Sequence, residues 1–168
     1  TTAHRLDLSV MLYDLVAPVL KKRFNAYLMS SYGRNAATMP DGSKWFVRAA
    51  NNSVGHGMSA DLIVADEMWD IARDVIDGGL LPAQRARKSP LLSLWSTAGT
   101  EASTAMLKWR EQGLRSIDTG KHSSFYFAEW SPPPDMSPLD PASWRWANPA
   151  LGQTLELKTI EAESENPD

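Results

Sequence analysis

The sequence has 168 residues, of which 43% are hydrophobic and 22% are charged, close to the average of globular domains. No apolar run approaches the ~20 residues that a membrane-spanning helix needs, and the absence of cysteine excludes disulfide frameworks, thiolate zinc sites and cysteine nucleophiles. The net charge of −3 argues against a uniformly basic surface that binds nucleic acid.

The first part of the chain predicts a helix followed by a hairpin. Pro18 lies inside the helical pattern of residues 7–28, so we expect a kink or a break into two helices there. Segments 35–39 and 43–49 flank Pro40-Asp41-Gly42, where Pro presets φ and Gly tolerates the left-handed region, which predicts a hairpin turn. The predicted apolar face of the helix consists of Leu8, Met11, Leu12, Leu15, Val19 and Leu20.

The middle of the chain alternates strand and helix patterns. Continuous apolar runs predict buried strands at 61–66 and 91–95, and an aromatic-rich run predicts a third strand at 124–130. Helices are expected at 68–77, ended by Gly78-Gly79, and at 103–116. This alternation predicts an α/β fold with a mainly parallel sheet flanked by helices.

A proline-rich stretch at 131–135 interrupts this pattern. It cannot form a helix or a central strand, so it predicts a boundary between residues 1–130 and residues 131–168. The acidic stretch that begins at Glu156 predicts a further helix.

The adjacent carboxylates Asp66 and Glu67 are the sharpest chemical feature. Four apolar residues followed by Asp-Glu have the form of a Walker B strand, and ligands of open parallel sheets bind beyond the carboxyl ends of the strands. There Asp66 is expected to hold the water shell of a nucleotide's Mg²⁺, and Glu67 to orient and deprotonate the attacking water. The alternative is that both acids open the following helix, whose dipole favours negative charge.

Small hydroxyl residues follow the next predicted strand. Ser96-Thr97-Ala98 are expected to lie beside the acidic pair, where such a segment senses the γ-phosphate in motor ATPases. The alternative is an ordinary helix N-cap, with Thr100 or Ser103 as the cap residue.

Motifs spread along nearly the whole chain resemble those of the large terminase subunit of tailed bacteriophages, in the order of that family. These motifs are Thr2-Ala3-His4, Gly55-His56-Gly57-Met58-Ser59-Ala60-Asp61, Asp66-Glu67, Ser96-Thr97-Ala98-Gly99-Thr100 and Trp146-Ala147-Asn148-Pro149-Ala150-Leu151-Gly152. That family is the ATP-driven motor that packages DNA into a prohead.

The resemblance implies a P-loop-type ATPase fold with an additional-strand catalytic glutamate. Residues 1–130 would be the C-terminal part of the ATPase domain, and residues 131–168 the start of a linker subdomain. By the same resemblance Asp66 is the Mg²⁺-associated acid, Glu67 is the catalytic base, and Ser96, Thr97 and Ala98 form the coupling motif. The implied cofactors are ATP and Mg²⁺. The implied partners are double-stranded DNA, the portal protein, the small terminase subunit and further copies in a ring, in the host cytoplasm.

Departures from the family pattern set further expectations. The phosphate-binding pattern G-x-x-x-x-G-K-[ST] does not occur in the 168 residues. The family would carry it before Thr1 and a nuclease domain after Asp168. We therefore expect an unsecreted fragment of a longer protein that does not hydrolyse ATP alone.

Three residues are candidates for a nucleotide-side or trans-acting cation, namely His4, Arg48 and His56. His56 stands where the family often has Arg, and imidazole is largely neutral at pH 7. The finger role then falls to a charged His56, to Arg48 or to a residue outside the fragment. His4 matches a polar position on the nucleotide side, although a surface or capping role is the more common one for such a histidine.

Two other functional classes fit part of the pattern. A helicase-like ATPase would share the Asp-Glu strand, but it would lack the late Ala-Asn-Pro-x-Leu-Gly motif. A non-catalytic interaction module is the second alternative. The basic clusters 21–23 and 85–88 could contact DNA phosphates, although such runs are more often solvated helix faces or ends.

Overall fold

The chain forms two compact units, Thr1–Gln112 and Gly113–Asp168, which are described separately. The predicted division into an ATPase part, 1–130, and a linker part, 131–168, stays a prediction. The computed structural model describes residues 1–3, 5–31, 35–51, 53–120 and 124–165.

A two-residue strand, β1 (Thr2–Ala3), precedes one continuous helix, α1 (Leu6–Phe24). The expected break at Pro18 is wrong. Pro18 and Asp14, whose carbonyl loses its helical donor, both lie on the exposed side, where water can replace the missing partner. The helix ends before Leu28 because Asn25 adopts the left-handed conformation (φ 53°) and donates its N–H to the Leu20 carbonyl.

The face of α1 that packs on the protein differs from the predicted one. The helix buries Ser9, Tyr13 and Ala17, whereas Met11 and Leu15 remain 62% and 72% exposed. Polar contacts explain why this face of α1 is buried. The Ser9 hydroxyl accepts from the Ala3 N–H (3.0 Å) and donates to the Arg48 carbonyl (2.9 Å), and the Tyr13 ring stacks on Trp45. A small hydroxyl residue therefore brings the helix close to two strands, which a large apolar side chain would prevent.

The predicted hairpin is confirmed. Three short strands, β2 (Tyr27–Met29), β3 (Ala36–Thr38) and β4 (Lys44–Phe46), form an antiparallel sheet in the order β2-β3-β4. In the β3–β4 turn Gly42 has φ +84°, and the Asp41 carboxylate accepts from the backbone N–H of Ser43 (2.9 Å). The turn thus uses the glycine and the aspartate as the sequence predicts.

The second sheet is fully parallel and carries the candidate site. It consists of β1 with β5 (Arg48–Ala49), β6 (Leu62–Asp66) and β7 (Leu91–Leu94), in the order β5-β1-β6-β7. The two strands predicted from apolar runs are confirmed as β6 and β7. The expected burial on both faces is wrong for β7, because it is an edge strand and none of its residues is buried. Helices flank this sheet, so the predicted α/β fold with a mainly parallel sheet is also confirmed.

The helix expected over 68–77 is not continuous. Three short helical segments follow β6, namely a 3₁₀-helix Met68–Asp70, a π-helix Val75–Leu80 and a 3₁₀-helix Pro82–Gln84. Gly78 and Gly79 lie within the π-helix instead of ending a helix. The wider turn, closed by the Leu81 N–H on the Ile76 carbonyl (3.0 Å), buries Ile76 and Leu80 together.

The core of the first unit lies between the parallel sheet and these segments. Its buried members include Val54, Ile63, Ala65, Met68, Ile71, Val75, Ile76, Leu80, Ala83 and Ala105. Helix α2 (Thr104–Thr119) confirms the helix predicted at 103–116, and Met106 and Trp109 pack against this core. The boundary between the two units falls within α2.

The second unit contains α3 (Pro141–Ala147) and α4 (Leu157–Ser164), of which α4 confirms the helix expected after Glu156. The strand predicted at 124–130 is wrong, because this segment pairs with no strand in the described part of the chain. Tyr126 is 89% exposed there, and Phe127 lies against Gly113, where an added Cβ would come within 2.3 Å of the ring. The Phe127 ring therefore packs on α2 without being part of a strand. Within the described residues, no helix has the length and apolar character to cross a membrane.

Candidate functional site

Asp66 and Glu67 lie where β6 ends, at the carboxyl edge of the parallel sheet. Asp66 pairs in register with Ala3 of β1, and the last ladder pair with β7 joins Ala65 and Leu94. Both acidic residues are half-buried. The pair therefore follows an inner strand with a neighbour on either side, which is where open parallel sheets bind ligands.

Backbone geometry separates the two carboxylates. Glu67 leaves the strand in the left-handed region (φ 55°, ψ 46°), which costs a residue other than glycine about 1 kcal/mol or more. The Asp66 Oδ1 atom accepts from the Glu67 N–H (3.0 Å) and so supports this sharp turn. The turn sends the two side chains in different directions.

Neither carboxylate acts as a cap of the helix that follows. Glu67 occupies the N-cap position of the 3₁₀-helix Met68–Asp70, but its side chain makes no capping hydrogen bond. Asp66 accepts from Glu67 instead of from an N–H inside that helix. The alternative that these acids simply open a helix is therefore not supported by their hydrogen bonds.

The Glu67 carboxylate is held by Trp69. The indole Nε1–H of Trp69 donates to Glu67 Oε2 at 2.5 Å, and the backbone N–H of Trp69 donates to the Ser96 hydroxyl at 2.9 Å. Nothing in the sequence pattern singles out Trp69, since a tryptophan in an apolar segment is usually a core or interface residue. The only sequence signal is an aromatic N–H donor two residues after the glutamate.

The segment Ser96-Thr97-Ala98 lies beside the acidic pair, as expected. Beyond the last ladder pair, Trp95 still donates to the Ala65 carbonyl and accepts from the Met68 N–H, both at 2.9 Å. All three residues of the segment are exposed. Their position next to β6 agrees with the predicted coupling role, and that role itself stays a prediction.

The helix-cap alternative applies to other residues of the same loop. Ser103 precedes α2, and its hydroxyl accepts from the Thr100 N–H (3.1 Å), while the Thr100 hydroxyl accepts from the Ala102 N–H (3.3 Å). Thr100 and Ser103 therefore build a local turn at the helix start. Ser96 does not take part in that turn. Its hydroxyl accepts from the Trp69 N–H (2.9 Å) and donates to the Met106 sulfur of α2 (3.5 Å).

Arg48 lies away from the acidic pair. On β5 it pairs in register with Thr2, which pairs on its other side with Ala65. Since residues in register share a face of the sheet, Arg48 lies on the face opposite to Asp66. Its guanidinium carbon is 5.6 Å from the centre of the Phe46 ring. A role on the nucleotide of a neighbouring subunit stays a prediction for Arg48.

Two of the three histidines, His4 and His56, are candidate site residues. His4 lies outside the described residues. His56 is exposed on a tight loop, in which the next residue, Gly57, has φ +71°. Its other neighbour, Gly55, packs against the π-helix so closely that an added Cβ would lie 2.1 Å from the Gly79 carbonyl oxygen. The loop is thus fixed at one glycine and presents His56 to solvent.

The donor set at the sheet edge fits a weakly held Mg²⁺. Among the described residues no group of three or more His, Asp or Glu side chains could enclose a metal ion. Mg²⁺ on a nucleotide needs only one or two carboxylates, with water and phosphate oxygens completing its shell. In the described part of the chain the Oδ2 atom of Asp66 accepts no hydrogen bond, so Asp66 can contact such a water shell.

Comparison with known proteins supports the fold. No family model and no curated protein matches the sequence. The crystal structure of the HK97 bacteriophage large terminase matches with a TM-score of 0.80 and 22% sequence identity, covering 98% of this chain and 34% of that one. The chain thus spans about a third of the length of the protein it resembles. The similarity predicted from the motifs is confirmed at the level of the fold: this chain has the fold of part of a bacteriophage large terminase.

Proposed function

We propose that this chain is part of the ATPase of a viral DNA-packaging motor, in which it couples ATP hydrolysis to DNA translocation into a prohead. The observation that carries the proposal is the position of Asp66 and Glu67 at the carboxyl end of an inner parallel strand, with 96–98 following the next strand. The terminase fold of the whole chain supports the same function.

In this proposal the two carboxylates divide the work. Glu67 accepts a proton from the attacking water and orients it, because its carboxylate is held in place by the Trp69 indole. Asp66 holds the water shell of the metal ion. The Mg²⁺ ion itself, when bound with ATP, neutralises the charge that develops on the phosphates.

The coupling step is assigned to the neighbouring loop. Thr97 and Ala98 are small and exposed, so phosphate oxygens can approach them closely. Ser96 connects this loop to the residues after β6 through the Trp69 N–H. Loss of the γ-phosphate then changes contacts at 96–98 and is passed on to the part of the motor that grips DNA.

The proposed partners follow from the same role. They are double-stranded DNA, the portal protein, the small terminase subunit and further copies of the large subunit arranged as a ring at the prohead portal in the host cytoplasm. Because the chain carries no G-x-x-x-x-G-K-[ST] segment, we expect no measurable hydrolysis from the 168 residues alone.

The test substitutes Glu67→Gln in a longer protein that contains this sequence together with a P-loop. We expect ATP turnover to fall about 10²–10⁴-fold, the usual scale for loss of a general base, while nucleotide binding is retained. Glu161→Gln is the matched control, because it makes the same chemical change at an exposed position of α4. Turnover of Glu67→Gln at the wild-type rate would contradict the assignment.

A further inference from the structure

Trp69 contacts both halves of the candidate site. Its indole N–H donates to the Glu67 carboxylate, and its backbone N–H donates to Ser96 on the neighbouring loop. We propose that Trp69 is a positioning residue that fixes the Glu67 carboxylate and links its orientation to the 96–98 loop. This inference rests on the proposed ATPase function.

An indole is well suited to hold this carboxylate. It is a rigid ring with one N–H and no acceptor, so it can only donate. Hydrogen bonds to an ionised carboxylate are stronger than those between neutral groups, so this contact can fix the orientation of the Glu67 side chain. The bond occupies Oε2 of Glu67 and leaves Oε1 to face an attacking water.

The link to the loop runs through the backbone of the same residue. A displacement of Ser96 removes or reorients the acceptor of the Trp69 N–H. Because the indole ring is attached to that residue, its N–H moves relative to Glu67. Loss of a ligand from 96–98 thereby changes the orientation of the carboxylate without any direct contact between the loop and Glu67.

Trp69 and the residue before it differ in burial. The preceding residue, Met68, is 4% exposed and belongs to the core of the first unit. Trp69 is half-buried and is neither a member of that core nor among the partly buried residues packed against it.

The contact can be tested on the 168-residue chain itself, without nucleotide. The seven tryptophans give indole ¹H–¹⁵N resonances, and the Trp69 resonance is assigned as the one that Trp69→Phe removes. We expect Glu67→Gln to shift the Trp69 resonance and to leave that of Trp95, whose indole donates to Ser93 (2.8 Å), in place. An unshifted Trp69 resonance would overturn the proposal.

The kinetic test uses the longer protein with its P-loop. Trp69→Phe keeps the ring and deletes the N–H, so we expect kcat to fall about tenfold, the effect of about one charge-assisted hydrogen bond, with KM for ATP changed less than twofold. Trp95→Phe is the control and should leave both constants unchanged. Because Trp69 and Ser96 act in one chain of contacts, the effects of Trp69→Phe and Ser96→Ala should combine to less than their product.

The outcomes separate this inference from the proposed function. If Glu67→Gln abolishes turnover but Trp69→Phe leaves kcat unchanged, Trp69 does not position the base and the ATPase function stands. If the indole resonance responds to Glu67→Gln but Glu67→Gln retains turnover, the contact exists and Glu67 is not the catalytic base. Independent effects of Trp69→Phe and Ser96→Ala would remove the link to the loop.

Discussion

Substitution of Gly55 tests whether the loop that carries His56 is packed on the π-helix. Gly55 is buried, and a Cβ added there would lie 2.1 Å from the Gly79 oxygen, 2.9 Å from the Gly79 carbon and 3.1 Å from the Ala83 Cβ. Carbon–oxygen contacts normally begin at about 3.3 Å, so one backbone segment must move by about 1 Å.

The obstacle cannot move cheaply. It is the backbone of Val75–Leu80, whose residue Ile76 is fully buried and accepts from Leu81. Overpacking of this kind costs about 3 kcal/mol. We therefore expect Gly55→Ala to lower the free energy of unfolding by about that amount. With a urea m-value of about 1–3 kcal/mol/M, the unfolding midpoint should fall by about 1 M or more.

Urea unfolding of the 168-residue chain, followed by far-UV circular dichroism, measures this shift. Gly78→Ala is the matched control, because nothing lies within 4 Å of an added Cβ at that neighbouring glycine. It should leave stability unchanged or raise it by up to about 1 kcal/mol, since alanine restricts the unfolded chain. Equal midpoints for Gly55→Ala and the wild type would refute the close packing of this loop.

Two further predictions concern the same unit. The Lys108 ammonium lies 2.9 Å from Oδ2 of Asp77 and lowers the pKa of that carboxyl group. Arg73 lowers the pKa further, and burial offsets part of the effect. The stabilisation by ionised Asp77 is therefore complete above about pH 4 and is lost as the pH falls through the lowered pKa. Asp77→Asn should lower the free energy of unfolding by about 0.5 kcal/mol at pH 7, a small value because solvent screens this partly exposed pair. The urea midpoints of Asp77→Asn and the wild type should converge below about pH 3. A difference between the midpoints that stays constant with pH would contradict this. In the longer motor, Thr97→Val keeps the side-chain volume and deletes the hydroxyl, so DNA translocation should fall more than ATP binding, as measured by packaging and nucleotide-titration assays. Equal losses in both assays would remove the coupling role.

The parallel strands and the hairpin could be predicted because local chemistry determines them. Strands of a parallel sheet favour continuous apolar runs, which 61–66 and 91–95 supply for β6 and β7. The other two parallel strands, β1 and β5, have two residues each and give no such pattern. The hairpin turn needs a residue that accepts positive φ, and Gly42 supplies it. In these segments the short-range signal and the tertiary contacts agree.

The burial of α1 could not be predicted, because tertiary contacts override the apolar pattern. Its inward residues are decided by the closeness of β1 and β5, where Ser9 binds backbone groups of Ala3 and Arg48. Periodicity alone favours the face of Met11 and Leu15, which remains exposed. A sequence pattern scores apolarity and cannot score a hydrogen bond to a strand that lies 39 residues away.

The π-helix could not be predicted from the sequence pattern either. Two glycines in succession favour a helix end, but Gly79 is buried here because the Gly55 backbone lies against it. The absence of a side chain at Gly55 permits that approach. The sequence signal is therefore the pair Gly78-Gly79, but its structural role depends on contact with the distant Gly55.

The role of the acidic pair could not be predicted from the sequence alone. An Asp-Glu after an apolar strand is compatible with a ligand site and with the start of a helix, and composition cannot separate the two. The hydrogen bonds can, because a helix-starting acid accepts from N–H groups inside the helix. Here Asp66 accepts from Glu67 itself, and Glu67 accepts from the side chain of Trp69. The rigid donor to Glu67, the left-handed turn and the adjacent loop of small residues therefore support the proposed ligand site over a helix-starting role.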